Sequence, residues 1–205
     1  MNMTEYPRFT IIMRNYSYEE AEAILIAMED LNDQFAVEMT LNTENAIEHI
    51  KKLNEQFGSK FYIGAGTVRN IKDAKDAIDA GARFLLGPHH FTKEMFNLAK
   101  KHQVLTVPAA MTPSEVDEMI ELGADIVKIF PATAVGPQFF KDIQAPLGNL
   151  PLMAVGGISS ENAKEFLDNK TTYLGIGSGI FNSYDIKNKD ISKLRESLNQ
   201  FLASV

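Results

Sequence analysis

The stretch ADIVKIFPATAVGP, residues 124–137, sets Lys128 inside an apolar run. A buried ammonium is costly unless it is paired, shifted in pKa or used in chemistry. A desolvated lysine has its neutral form favoured, and only the neutral amine attacks a carbonyl to form a Schiff base. A second run, FAVEMT at 35–40, carries Glu38 in the same kind of setting. A carboxyl group beside such an amine can move the protons that imine formation and C–C cleavage require. The plainer reading of the two residues is a buried ion pair.

Other residues suit an anionic substrate. Arg14 ends the run FTIIMR and has the planar fork that binds a carboxylate; its alternative is a salt bridge at a rim. Thr67, in GAGT, can donate its hydroxyl to the same carboxylate or cap the helix that follows. Gly156-Gly157 and Gly177-Ser178-Gly179 lie in two late glycine loops, where backbone can approach a phosphate closely. Tight turns also use glycine, so the position of these loops in the fold decides their weight.

Eight apolar runs supply that position: 9–14, 35–40, 60–66, 83–88, 104–109, 125–131, 151–155 and 172–178. Amphipathic segments separate them, several opening on a capping residue (Ser17, Asn70, Thr92, Ser159). Strict alternation implies parallel strands joined by helical crossovers, and eight units imply a closed (β/α)8 TIM barrel over a single domain, 1–205. An open doubly wound sheet is the alternative. AIDAGARFLLGP echoes MIELGADIVKIFP, with Gly81 and Gly123 placed to end helices. In a barrel the functional groups gather at the C-terminal ends of the strands, and the last two loops commonly hold phosphate. Strand alternation puts Lys128 on one face with Ile126 and Phe130, and Glu38 with Ala36 and Thr40. If both faces point inward, amine and carboxyl meet inside the barrel.

The chain has 205 residues, enough for one domain with a substantial core. A formal net charge of −7 argues against nucleic acid or an anionic membrane as general partner. The absence of cysteine excludes disulfides, thiolate metal sites and a cysteine nucleophile. No signal peptide and no bilayer-length apolar run is read, so the expected location is cytoplasmic. His89-His90 invites a metal reading, but adjacent side chains point apart and a catalytic zinc needs three protein ligands. No metal and no cofactor are expected.

The combination VEMTLNT, IGAGTV, VKIFPA, AVGGIS and GIGSGIF resembles the class I aldolases that cleave 2-keto-3-deoxy-6-phosphogluconate or 2-keto-3-deoxy-6-phosphogalactonate, a family that also includes 4-hydroxy-2-oxoglutarate aldolases. The likeness runs from about residue 9 to 182. It implies a small (β/α)8 barrel, a homotrimer, no cofactor, and a phosphorylated keto acid cleaved to pyruvate and glyceraldehyde 3-phosphate. It implies Lys128 as the Schiff-base lysine and Glu38 as the general acid/base. Arg14 and Thr67 match the positions that hold the substrate carboxylate, and Phe130 the aromatic near the imine. Gly156, Gly157 and Ser178 match the phosphate loops. Asn42 and Val155 stand where the gluconate branch usually has Arg and Thr, which favours the galactonate branch. His89 and Ala109 depart from the family pattern near the barrel mouth. Two rivals remain: a phosphate-binding barrel isomerase, epimerase or synthase without an imine, and a non-catalytic ligand-binding barrel. Neither needs a neutral Lys128.

Overall fold

The computed structural model describes residues 6–205, and one parallel sheet dominates it. The strands are β1 (Phe9–Met13), β2 (Phe35–Thr40), β3 (Ile63–Gly66), β4 (Phe84–Leu86), β5 (Leu105–Val107), β6 (Ala109–Ala110), β7 (Val127–Ile129), β8 (Leu152–Val155) and β9 (Tyr173–Ile176). Their order across the sheet is β5-β4-β3-β2-β1-β9-β8-β7-β6. The two edges are one stretch of chain, broken only at Pro108. β5 pairs with β4 and β6 pairs with β7, and the Pro108 carbonyl accepts from Lys128 N at 2.9 Å. Proline has no N–H and cannot continue a ladder on both sides. The fifth of the eight expected strands has β4 as its ladder partner before Pro108 and β7 after it, with single bonds the other way from Ile126 N to the Thr106 carbonyl and from Ala109 N to the His89 carbonyl, and there the (β/α)8 barrel closes.

Around the barrel run α1 (Tyr18–Ala27), α2 (Ala46–Phe57), α3 (Ile71–Asp79), α4 (Lys93–Lys101), α5 (Pro113–Glu121), α6 (Ala132–Val135), α7 (Pro137–Leu147), α8 (Ala163–Asp168), α9 (Ser183–Asn188) and α10 (Ile191–Ala203). Ser17, Asn70 and Thr92 cap α1, α3 and α4 as the sequence suggests, Ser17 forming a reciprocal box with Glu20. Ser159 does not cap a helix directly. Its hydroxyl accepts from Glu161 N one turn before α8 begins. Gly81 and Gly123 follow the ends of α3 and α5 with φ of 91° and 99°, the left-handed conformation that glycine takes without strain.

Burial is two-sided, which is why the strands read as continuous apolar runs. One face packs against the helices (Ile11, Val37, Ile63, Leu85, Val127, Leu152, among others). The other fills the barrel with Ile12, Ala36, Phe84, Val107, Ile126, Met153 and Val155. Tyr6 belongs to this inner cluster. Its ring meets Tyr62, Phe84 and Tyr173 edge-on at 5.7, 5.3 and 5.8 Å, and its hydroxyl bonds Thr10 at 2.8 Å. Such contacts contribute about 0.5–1.5 kcal/mol each beyond area burial. Among the described residues no helix is long and apolar enough to cross a membrane.

Candidate active site

Lys128 is the middle residue of β7, in register with Ala109 of β6 and Met153 of β8. It is 5% exposed, and its neighbour on the same face, Ile126, belongs to the inner cluster. Lys128 Nζ lies 4.9 Å from the centroid of the Phe130 ring. Glu38 of β2, in register with Ile12 and Gly64, is 2% exposed and also faces inward. Its Oε2 is buried without a hydrogen-bond partner among the described residues. A buried acceptor in that condition is costly, so it marks a place where a proton, water or substrate is to be met.

The two groups titrate under each other's influence. Burial pushes the Glu38 carboxyl up to about 7, against the pull of the Lys128 charge and then of Arg14. Burial brings the Lys128 ammonium down to about 8, with Glu38 opposing the shift and Arg14 adding to it. Both shifts run toward the neutral forms, an amine able to attack and a carboxylic acid able to donate. Desolvation outweighs mutual attraction at each group, so both titrate closer to neutral pH than in water, where a proton can be exchanged with a substrate.

A cavity of about 570 Å³ is walled by Arg14, Phe130, Val155 and the loops carrying Gly156-Gly157 and Gly177-Ser178-Gly179; Lys128 and Glu38 are not in its wall but adjoin it, Lys128 through Phe130 and Glu38 through its register neighbour Ile12. Arg14 is exposed at its rim. Gly156 and Gly157 have φ of 99° and 76°, which favours glycine. A side chain at Gly157 would meet Thr133, and one at Gly179 would run into the Ile158 carbonyl. These turns follow β8 and β9, the positions where barrels bind phosphate through backbone N–H groups. Gly157→Val is therefore expected to raise KM for a phosphorylated substrate while leaving that of its unphosphorylated analogue nearly unchanged. Steady-state kinetics on both substrates checks this, with a melting curve to control for strain at this φ. Equal effects on the two would remove the phosphate role.

The remaining candidates divide. Thr67 is half-buried, directly after β3, with φ of 58°. That conformation is an outlier for a β-branched residue, and such strain clusters where a group must be aimed. Its capping alternative fails, because Asn70 accepts from Asp73 N and caps α3 instead. Asn42 is exposed on the turn after β2, outside this cavity's wall. His89 is exposed, and its Nδ1 lies 2.8 Å from the His90 carbonyl. Ala109 is buried at 3% and stands in register with Lys128 in the ladder. Asn15 and Tyr16 also line the cavity, and sequence reasoning passed over them. Asn15 N donates to Thr43 Oγ1 at 2.9 Å, and Thr43 bonds Thr40, which ties the Arg14 loop to the end of β2. The one available signal was an asparagine directly after the arginine that ends the apolar run; in the structure it takes φ of 60°.

Comparison with known proteins identifies the family. The family described as "KDPG and KHG aldolase" matches residues 8–197. The 2-dehydro-3-deoxy-6-phosphogalactonate aldolase of Escherichia coli (strain K12) is 30% identical over 171 residues, covering 83% of this chain and 82% of the relative. The 2-dehydro-3-deoxy-phosphogluconate aldolase of Pseudoalteromonas atlantica is also 30% identical, over 168 residues, covering 82% of this chain and 77% of the relative. Among solved structures, the KDPG aldolase of Legionella pneumophila with pyruvate captured as a covalent carbinolamine superposes with a TM-score of 0.84 at 28% identity, over 95% of this chain and 94% of that one. A native KDPGal structure gives the same TM-score at 26% identity, over 96% and 95%. With a family match across nearly its whole length, laid on a barrel that buries a lysine and a glutamate on its inner strand faces, the chain belongs to the KDPG and KHG aldolase family.

Proposed function

We propose that this protein is a class I aldolase that cleaves a 2-keto-3-deoxy-6-phospho sugar acid to pyruvate and glyceraldehyde 3-phosphate. The observation that carries the reading is the inward pair, Lys128 and Glu38, both pushed toward their neutral forms, with a glycine-walled cavity next to Phe130. Neutral Lys128 attacks the C2 ketone and forms a carbinolamine. Glu38 gives a proton to the departing hydroxyl, water leaves, and a protonated imine remains. The C3–C4 electron pair then flows into that cation as the Glu38 carboxylate takes the C4 hydroxyl proton. Glyceraldehyde 3-phosphate departs, leaving an enamine. Protonation at C3 and hydrolysis release pyruvate and restore the amine. The imine supplies the electron sink. A glutamate whose pKa lies near neutrality can give and take the proton within one cycle. Arg14 and Thr67 hold the substrate carboxylate, Phe130 packs against the imine, and the loops through Gly156, Gly157, Ser178 and Gly179 hold the phosphate. The carbinolamine of the Legionella relative supports the first covalent step. Borohydride trapping with pyruvate tests the reading: a reduced adduct on Lys128 is expected, and its absence would favour an isomerase, epimerase or ligand-binding barrel. The family resemblance supports a cytoplasmic homotrimer of one-domain chains.

The substrate epimer rests on Val155. Its side chain walls the cavity and fills the space over Gly175, and it can donate no hydrogen bond. Asn42 stands apart from this wall, so it carries less of the selection than its neighbourhood in sequence suggested. A site that bonds a substrate hydroxyl rejects an analogue lacking it strongly, whereas an apolar wall discriminates by about 1–3 kcal/mol. The two candidate substrates are epimers at C4. The enzyme is expected to cleave 2-keto-3-deoxy-6-phosphogalactonate at least as well as the gluconate epimer, and Val155→Thr is expected to shift kcat/KM toward gluconate. A wild-type preference of about tenfold or more for gluconate, equivalent to about 1.4 kcal/mol, would overturn this choice and leave the aldolase chemistry standing.

A further inference from the structure

We infer that Gly66 is a positioning residue: its bare backbone is the seat in which the Glu38 carboxylate lies. Gly64 and Gly66 stand on the inner face of β3, with Ala65 between them packed outward in the helix-facing core. Neither inner position carries a side chain, and each gap is filled by a neighbour. A Cβ on Gly64 would come within 2.5 Å of the Phe84 ring. A Cβ on Gly66 would coincide with Glu38 Oε1 and crowd Cδ and Cγ. In the ladder Gly66 sits opposite Thr40 and Gly64 opposite Glu38, so the Glu38 side chain leans one inner position along the strand, toward the C-terminal mouth. Both glycines avoid the left-handed region, so no backbone torsion calls for glycine at either place. The requirement is room.

That room fixes where the proton is delivered. Glu38 is almost wholly buried, so it has few alternative places to go. Oε1 lies against Gly66 of β3, and Oε2 is buried without a hydrogen-bond partner among the described residues, which leaves it to the reaction. A methyl at position 66 displaces the carboxylate without breaking a backbone hydrogen bond. The obstacle is the far end of a side chain, which rotates more readily than backbone moves. The loss should therefore fall on catalysis more than on folding, and misplacement by about 1 Å can cost on the order of 10²-fold in rate.

The inference rests on the acid/base role given to Glu38, and a double-mutant cycle in the full chain separates the two. Gly66→Ala, Glu38→Asp and the double variant are compared by kcat, by KM and by the pH profile of kcat. Aspartate is one methylene shorter and withdraws from the added methyl. Gly66→Ala alone is expected to lose on the order of 10²-fold in kcat with a small change in KM and a displaced Glu38 limb in the pH profile. In the Glu38→Asp background the same substitution is expected to cost threefold or less, a clear failure of additivity. Equal losses in both backgrounds, or wild-type kcat in Gly66→Ala, would overturn the inference. Should Gly66→Ala fail to fold, Glu38→Ala/Gly66→Ala decides: recovery of the native melting transition places the clash on Glu38, and continued unfolding makes Gly66 merely structural. Full activity in Glu38→Gln would overturn the acid/base reading itself, and the positioning role with it.

Discussion

Lys128→Ala and Lys128→Arg are both expected to abolish cleavage, a loss on the order of 10⁶-fold, the scale seen when a covalent nucleophile is removed. Alanine removes the amine. Arginine keeps the charge but stays protonated and cannot form the imine. Pyruvate release measures the loss, and circular dichroism confirms the barrel. In the wild type, borohydride with pyruvate should add its mass to the peptide holding Lys128, and labelling at another lysine would sink the assignment. Stability should move the other way. A lysine whose folded pKa lies near 8, below its ordinary 10.5, contributes stability that is present above 10.5 and lost as pH falls through 8. Near neutral pH the wild type therefore carries a penalty for holding the ammonium. Glu38, deprived of the charge that pulls its pKa down, would become more completely protonated and leave no unpaired anion. Lys128→Met, which fills a similar volume with apolar atoms, is accordingly expected to melt at or above the wild-type temperature at pH 7 while being inactive. A clear drop in melting temperature would mean that Lys128 serves as a structural partner of Glu38.

Strand positions were legible because a barrel strand is buried on both faces, so apolar runs mark its extent. Alternation alone correctly grouped Lys128 with Ile126, and Glu38 with Ala36. What was hidden depends on partners distant in sequence. Pro108 looks like the interior of one run, and only the demands of β4 and β7 divide it. Thr67 reads as an ordinary cap until Asn70 takes that role and leaves Thr67 at a positive φ. Asn42 shares a motif with Glu38 yet faces solvent on a turn, since proximity along the chain past a strand end does not fix direction. The run IGAGT reads as the end of a strand, and nothing in it gives Gly66 a role of its own. Gly66 is an empty inner position whose meaning comes from a side chain on β2.

Glu38→Gln is expected to keep the shape of the site and lower kcat on the order of 10²–10⁴-fold, the usual range for a general acid/base. Glutamine preserves size and a carbonyl oxygen but can neither accept the C4 hydroxyl proton nor protonate the carbinolamine hydroxyl. The variant also carries a second signature, whose sign follows from the two titrations. In the wild type the Glu38 charge raises the Lys128 pKa against the larger effect of burial. With a neutral amide in its place only the lowering influences remain, burial first and Arg14 second, so the Lys128 pKa falls further below about 8. More of the amine is then neutral at pH 7. The pH at which borohydride-trapped pyruvate adduct reaches half its maximum, measured at long incubation so that equilibrium is approached, should move to lower pH, even as turnover collapses. A merely structural Glu38 predicts an almost unchanged rate, and a Glu38 remote from the amine predicts an unmoved midpoint. Loss of turnover together with an acid-shifted midpoint is the outcome that assigns Glu38 both roles, proton carrier for the substrate and electrostatic governor of the nucleophile.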